Sequence, residues 1–336
     1  MRRRAAVLAA LLAVVLVVSG CGQGSHSASH LKQVTLMLDW TPNTNHGGIY
    51  LAQANGWYHK AGLDVRIIQP GDSGSLLPLA SGKADFAISV AEEVLPARAN
   101  GLPVVSLGAI IEHNTSSLLA LKSAGITRPR DLAGKTYGGY GGALERALVS
   151  ALVRCDGGDP STVKFVEVGD ADYRVGLTKH LYDFVWIFDG WDKIRMQQID
   201  KLPVSTIPFA AHASCIPDWY TPLIATNERL LRTDPATART FMAVTARGYR
   251  EAMARPDLAA GALVKSAPEV DRQLATLSAR YLATRFAASP GTWGVQELGV
   301  WQRFADFLRG AGLMKSTVDV AKAFTNDYLP QGGAAG

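Results

Sequence analysis

From residue 34 onward, short apolar runs alternate with stretches of helical periodicity, the signature of parallel sheets with crossover helices. Runs at 34–38, 64–69, 84–89 and 104–111 predict four strands, with helices over 49–59, up to residue 81 and up to residue 100 between them. The pattern then restarts. Runs at 118–121, 135–138, 163–168, 182–188 and 204–208 predict a second set, with helices over 143–154 and 171–181. After an extended run at 223–226 the chain is almost wholly helical, with apolar residues at helical spacing over 235–254, 256–266, 270–285 and 295–310. At 336 residues the chain exceeds what one compact core accommodates. Two α/β lobes are expected, one from residues 33–117 plus 222–330 and the other from 118–221, hinged by two crossings around a cleft.

Polar clusters sit where the strands end. In an open α/β sheet that edge binds ligands, because the following helices present unpaired N–H groups to a crevice there. The first strand runs into Asp39-Trp40-Thr41-Pro42-Asn43-Thr44-Asn45-His46-Gly47-Gly48, which offers Asp39, Trp40, Asn45 and His46 as ligand contacts. An ordinary strand-to-helix turn uses the same residue types. Ser73 lies in a Gly-rich loop that offers hydroxyls and N–H groups or merely caps its helix, and neither a P-loop nor GxGxxG with a fitting acid is present. Glu92 and Glu93 end the third strand. Neighbours in sequence point apart, so they do not form a hydrolytic acid–base pair; one of them can face the crevice, or both can serve a helix N-terminus.

In the second lobe, Tyr140 supplies a stacking face, and Gly141 and Gly142 let backbone N–H groups approach a ligand. Tyr182, Phe184, Trp186 and Phe188 alternate, which puts all four on one face of a strand. The first two read as core; Trp186, Phe188 and, in the following turn, Asp189 and Trp191 read as cleft residues. Tyr220 lies on the second crossing.

The N-terminus reads as an export signal over residues 1–20: three Arg, an uncharged run from Ala5 to Val18, then Val18-Ser19-Gly20-Cys21. Small residues followed at once by Cys resemble a lipobox, making Cys21 the acylated first mature residue, with a plain signal as the alternative. Residues 21–32 read as a flexible tether and 331–336 as a disordered tail. Removing Arg2, Arg3 and Arg4 takes the formal charge from +5 to +2, and no long basic run remains to bind nucleic acid. An exported compartment permits a disulfide between Cys155 and Cys215 without establishing one, and neither has metal-ligand spacing around it.

Together, Asp39-Trp40-Thr41-Pro42-Asn43-Thr44-Asn45-His46-Gly47-Gly48-Ile49-Tyr50, Gly56-Trp57-Tyr58, Ala61-Gly62-Leu63-Asp64-Val65, Asp131-Leu132-Ala133-Gly134-Lys135 and Tyr220-Thr221-Pro222 closely resemble the NMT1/THI5-like family. The resemblance implies an α/β, two-lobe periplasmic binding protein of type II-like architecture with a hinge and an inter-lobe ligand cleft. One kind of member serves as the binding subunit of ABC importers for thiamine pyrimidine precursors, with relatives for sulfonates, nitrate and flavin precursors. The other is a eukaryotic pyrimidine synthase that consumes its own His and a pyridoxal phosphate held on a Lys four residues earlier. In this chain Glu93 falls at the His position, Ser89 at the Lys position and residues 216–220 at a Cys-rich run, so the synthase chemistry is not expected and no cofactor is called for. The expectation is a monomeric, lipid-anchored subunit on the outer face of a bacterial cell membrane, partnered by a permease and an ATPase. Its ligand would be an aminopyrimidine, with Trp40 and Tyr140 or Trp186 stacking on the ring, Asn45 and His46 bonding its edge, and Glu92 or Glu93 accepting from an amine. A flavin precursor, a sulfonate or nitrate, and an unidentified exported enzyme are the alternatives.

Overall fold

The computed structural model describes residues 31–71, 73–169 and 171–330. The signal, Cys21, all but the end of the tether, and the C-terminal tail lie outside the described residues. Among these there are ten strands: β1 (Lys32–Met37), β2 (Leu63–Ile68), β3 (Phe86–Ser89), β4 (Val104–Ala109), β5 (Ser116–Leu121), β6 (Thr136–Gly139), β7 (Lys164–Glu167), β8 (Phe184–Phe188), β9 (Val204–Pro208) and β10 (Leu223–Asn227). They form two five-stranded sheets, in the orders β2-β1-β3-β10-β4 and β7-β6-β8-β5-β9. Lys32, read as tether, already belongs to β1 and pairs with Asp234 at 2.9 Å.

Both sheets are mixed rather than parallel throughout. β10 runs antiparallel between β3 and β4, and β5 runs antiparallel between β8 and β9. The reason is connectivity: each crossing strand enters its sheet from the cleft end, where the parallel strands terminate. Every other strand therefore aims its carboxyl end at the space between the lobes.

The apolar periodicities become three cores. One lies in the first lobe, where β1, β3 and the helix Gly47–Ala54 meet the helices Pro235–Ala254 and Pro256–Ser266 through Leu36, Ile49, Phe86 and Phe241. A second runs through both lobes, from Leu79 and Leu95 to Leu118, Phe184 and Trp219, with the helix Leu298–Gly310 packed against it. A small third core covers the far side of the second sheet.

Two predicted features change. The helix expected over 49–59 is two helices, Gly47–Ala54 and Trp57–Lys60, because Gly56 takes φ +65° between them. The four alternating aromatics do not share one face. Phe184 and Trp186 face the core that runs through both lobes, whereas Tyr182 joins the small one. The strand starts only at Phe184, and Tyr182 ahead of it lies against Gly138 and Gly176, where a side chain would occupy the space of its ring.

Helices Gly47–Ala54 and Pro235–Ala254 approach backbone to backbone at Gly48 and Gly248, and a Cβ at Gly248 would collide with the Gly48 carbonyl. Gly248→Ala should lower stability by about 1–3 kcal/mol in urea unfolding, the usual cost of overpacking; an unchanged midpoint would contradict this packing.

Candidate functional site

The loop after β1 is rigid because its polar residues bond to one another. The Asn43 side chain accepts from the Asn45 N–H at 2.9 Å, and the Asn43 N–H donates to His46 Nδ1 at 3.3 Å. That places the ring proton on Nε2, which donates to Asp39 Oδ1 at 2.8 Å. His46 is fully buried with both nitrogens engaged. It is therefore a brace that aims Asp39, and the expectation that it bonds a ligand edge is corrected: a ring inside a capping turn has no nitrogen to spare. Asn45 is half-buried, and its carbonyl accepts from Tyr249 Oη at 2.7 Å. The Trp40 ring stands 47% exposed beyond this frame.

At the end of β3, the Ala91 N–H donates to the Tyr220 carbonyl at 2.9 Å, which fixes the start of the helix Ala91–Ala99. Ser89 Oγ donates to Glu93 Oε2 at 3.2 Å, and Glu93 faces solvent. Glu92 behaves differently. The residue is only half-buried, yet its Oε2 is sealed from water. Burial pushes its carboxyl up to about 8, with help from the charges of Glu93 and Asp39, while the nearby Trp219 indole N–H lowers it. Asp39, Glu92 and Glu93 thus share one electrostatic neighbourhood.

In the second lobe Glu145 folds back over the turn that starts the helix Ala143–Cys155. Its carboxylate accepts from the Tyr140 N–H at 3.0 Å, the Gly142 N–H at 2.9 Å and Tyr137 Oη at 2.9 Å. The Gly142 N–H expected to meet a ligand, and the Tyr140 N–H with it, are consequently occupied by a capping acid three and five residues on. Gly141, at φ +78°, shapes the turn, and the Tyr140 ring remains 53% exposed beside Tyr173.

Beyond β8 the chain winds into two π-helical turns, Asp189–Lys193 and Arg195–Ile199, a rare geometry that recurs at functional sites. Asp192 accepts from the Phe188 N–H at 3.1 Å, and burial pushes its carboxyl up to about 6. Asp189 is a buried brace: it accepts from Ser117 Oγ at 2.9 Å and lies 3.6 Å from Lys193. Trp186, Phe188 and Trp191 are half-buried. Tyr220 is not a cleft residue; its ring packs on Trp301 and its oxygen accepts from the Glu297 N–H at 2.8 Å. Ser73 sits on an exposed turn between Gly71 and Gly74.

Three residues absent from the expected site belong near it. Glu145 and Tyr173 organise the Tyr140 wall, and Trp219 links Trp186, at a centroid distance of 6.1 Å, to the neighbourhood of Glu92. Trp219 stands directly before the Tyr-Thr-Pro motif of the second crossing, the signal from which its place could have been inferred. A cavity of about 250 Å³ opens beside it at the hinge, lined by His113, Asn114, Phe209, Ile216 and Asp218. Among the described residues no group of three or more His, Cys, Asp or Glu is arranged to hold a metal ion, and no helix is long and apolar enough to cross a membrane. Cys155 and Cys215 form a disulfide within the second lobe.

The family model described as NMT1/THI5 like matches residues 43–259. The chain belongs to this family. Similar proteins include the formylaminopyrimidine-binding protein of Halalkalibacterium halodurans, 24% identical over 94% of this chain and 97% of that one. The riboflavin-binding protein RibY of Chloroflexus aurantiacus is 28% identical over 90% and 87%. A 4-amino-5-hydroxymethyl-2-methylpyrimidine phosphate synthase of Legionella pneumophila is 26% identical over 90% and 94%. Among solved structures, the periplasmic aliphatic sulphonate binding protein SsuA of Escherichia coli superposes with a TM-score of 0.68, covering 91% of this chain and 96% of that one at 15% identity, a likeness of fold. The NMT1/THI5-like chain described here is thus a two-lobed α/β protein of the periplasmic-binding-protein kind.

The Glu92 carboxyl gives the site a pH signature. Its folded value lies near 8 and its ordinary value near 4.5, so the stability it contributes is complete below about pH 4.5 and is lost as pH rises through about 8. In urea unfolding, wild type should lose more stability between pH 5 and pH 9 than Glu92→Gln does; parallel losses would contradict a carboxyl whose proton affinity is raised by burial.

Proposed function

We propose that this protein is the solute-binding subunit of an ABC importer and that it captures a small, uncharged aromatic heterocycle, an aminopyrimidine before others. The observation that carries the reading is that Asp39, next in sequence to the exposed Trp40, shares one electrostatic neighbourhood with Glu92 and Glu93. Carboxyl oxygens there favour a ligand edge bearing N–H donors over a sulfonate or nitrate. The exposed rings of Trp40 and Tyr140 suit the flat faces of such a ligand, each aromatic pairing adding about 0.5–1.5 kcal/mol beyond the area it buries. The formylaminopyrimidine-binding relative supports the same class of solute.

The reading as a binder rather than a synthase rests on Ser89 and Glu93. They bond to each other, and a seryl hydroxyl cannot form the imine on which pyridoxal phosphate chemistry depends. Export fits the Cys155–Cys215 disulfide, and an acyl anchor on Cys21 fits the Ser19-Gly20-Cys21 sequence. A larger flavin-type ring is the second reading, favoured by Phe188 and Trp191 on the opposite lobe and by the riboflavin-binding relative.

Calorimetric titration with an aminopyrimidine, riboflavin, taurine and nitrate separates these possibilities. The aminopyrimidine should bind tightly, the two anions should not, and Trp40→Ala should weaken capture at least tenfold, about 1.4 kcal/mol. Tight binding of taurine alone, or an unchanged constant in the Trp40 variant, would overturn the reading.

A further inference from the structure

The cavity of about 250 Å³ at the hinge is built from both crossings: His113 and Asn114 of the first, Ile216, Asp218 and Trp219 of the second, with Phe209 after β9 closing it. Asp39, Trp40, Glu92, Glu93, Tyr140 and Trp186 are not among its lining residues. It is therefore a different space from the one between the aromatic walls. Its volume is far above the ~10–15 Å³ that one water needs and below the usual range for drug-sized ligands, which suits a compact molecule.

One polar demand on this lining is unmet. Asp218 is engaged on both oxygens: Oδ1 accepts from the Asn114 N–H at 2.9 Å, and Oδ2 lies 2.7 Å from His113 Nδ1. Asn114 is 5% exposed, and its side-chain oxygen accepts from the Ser116 N–H at 2.7 Å. That bond fixes which way the amide points, because a backbone N–H can bond only its oxygen. The Asn114 Nδ2 is left with no hydrogen-bond partner among the described residues. Phe209, Ile216 and Trp219 make the rest of the lining apolar, and each is at most 3% exposed. The wall is also preformed. The Ile216 N–H donates to the His212 carbonyl at 3.1 Å, and the Cys155–Cys215 disulfide ties this turn to the helix Ala143–Cys155. A buried N–H₂ group with nothing to bond is costly, and beside a cavity of this size a ligand can supply the acceptor.

The same groups restrict what that ligand is. An amide N–H₂ only donates, so the ligand must present an acceptor. His113 and Asp218 are engaged with each other, so the lining offers no unpaired charge to offset the burial of an ion. We propose that the hinge cavity is a second small-molecule site, separate from the cleft, for a compact uncharged molecule with an apolar body and one carbonyl oxygen. The oxygen accepts from Asn114 Nδ2, and the body packs on Phe209, Ile216 and Trp219. The site stands independently of which solute the cleft captures.

Side-chain amide resonances of the ¹⁵N-labelled protein test the site, with the Trp219 indole N–H as a second reporter. Asn114→Ser identifies the Asn114 pair while keeping an oxygen for the Ser116 N–H. At pH 7 the protein is titrated with three probes that share one ring: cyclopentanone, cyclopentanecarboxylate and cyclopentylammonium. The Asn114 signals should respond saturably to cyclopentanone, with half-saturation below about 10 mM, within what so small a molecule can deliver. Both ions should bind at least tenfold more weakly. Ala213 lines the cavity and is exposed, so Ala213→Leu obstructs it from the outside and should weaken cyclopentanone binding at least tenfold with the unfolding midpoint unchanged. Trp40→Ala, which alters the cleft, should leave cyclopentanone binding as it is. Signals unmoved by cyclopentanone, equal responses to the three probes, or binding that survives Ala213→Leu would overturn the site, and binding lost in Trp40→Ala would overturn its separation from the cleft.

Discussion

The molecule hangs on the second crossing, residues 218–222, and on the backbone bonds that hold it. The Tyr220 carbonyl accepts from the Ala91 N–H, the Pro222 carbonyl from the Ile110 N–H at 3.0 Å, and Asp218 from the Asn114 N–H at 2.9 Å. One short segment is therefore tied to the helix carrying Glu92, to the end of the first sheet and to the first crossing. Trp219 within it stacks on Phe304 at 4.9 Å and meets Trp186 of β8 edge to face.

The two walls of the cleft are built by the same device with different chemistry. In each, a strand ends, a polar side chain folds back to satisfy the freed backbone, and an aromatic ring is left outward. His46 and Asn43 do this behind Trp40, and Glu145 does it behind Tyr140. These bonds fix the backbone from which each ring projects. Further stiffening comes from Ser278, whose hydroxyl bonds both Thr44 of the first loop and the Gly190 carbonyl of the π-helical turn.

Much of the fold was legible because periodicity is a local property. Strands such as 204–208 and helices such as 235–254 and 256–266 stand where their apolar spacing puts them. What escaped was set by contacts between distant segments. The antiparallel course of β5 and β10 follows from the crossings and leaves no trace in either strand's composition. Tyr182 obeys the alternation in sequence but turns away because Gly138 and Gly176 leave room for it. At the site, residue types were legible and their tasks were not. Trp40 and Tyr140, read as stacking faces, have exposed rings, whereas His46, Asp189 and Tyr220 are engaged in internal bonds. Trp219 was missed because a buried tryptophan in a crossing looks like core until its N–H is found beside the Glu92 carboxyl.

The claim at the centre of this account is that the cleft is made for an uncharged, flat, nitrogen-bearing ring. Native mass spectrometry of the protein purified from its own cells, without a denaturing step, tests it most directly. One equivalent of a neutral heteroaromatic compound, released on unfolding and carrying an amino group beside a ring nitrogen, is the predicted result. A sulfonate or another anion held in its place would contradict the account.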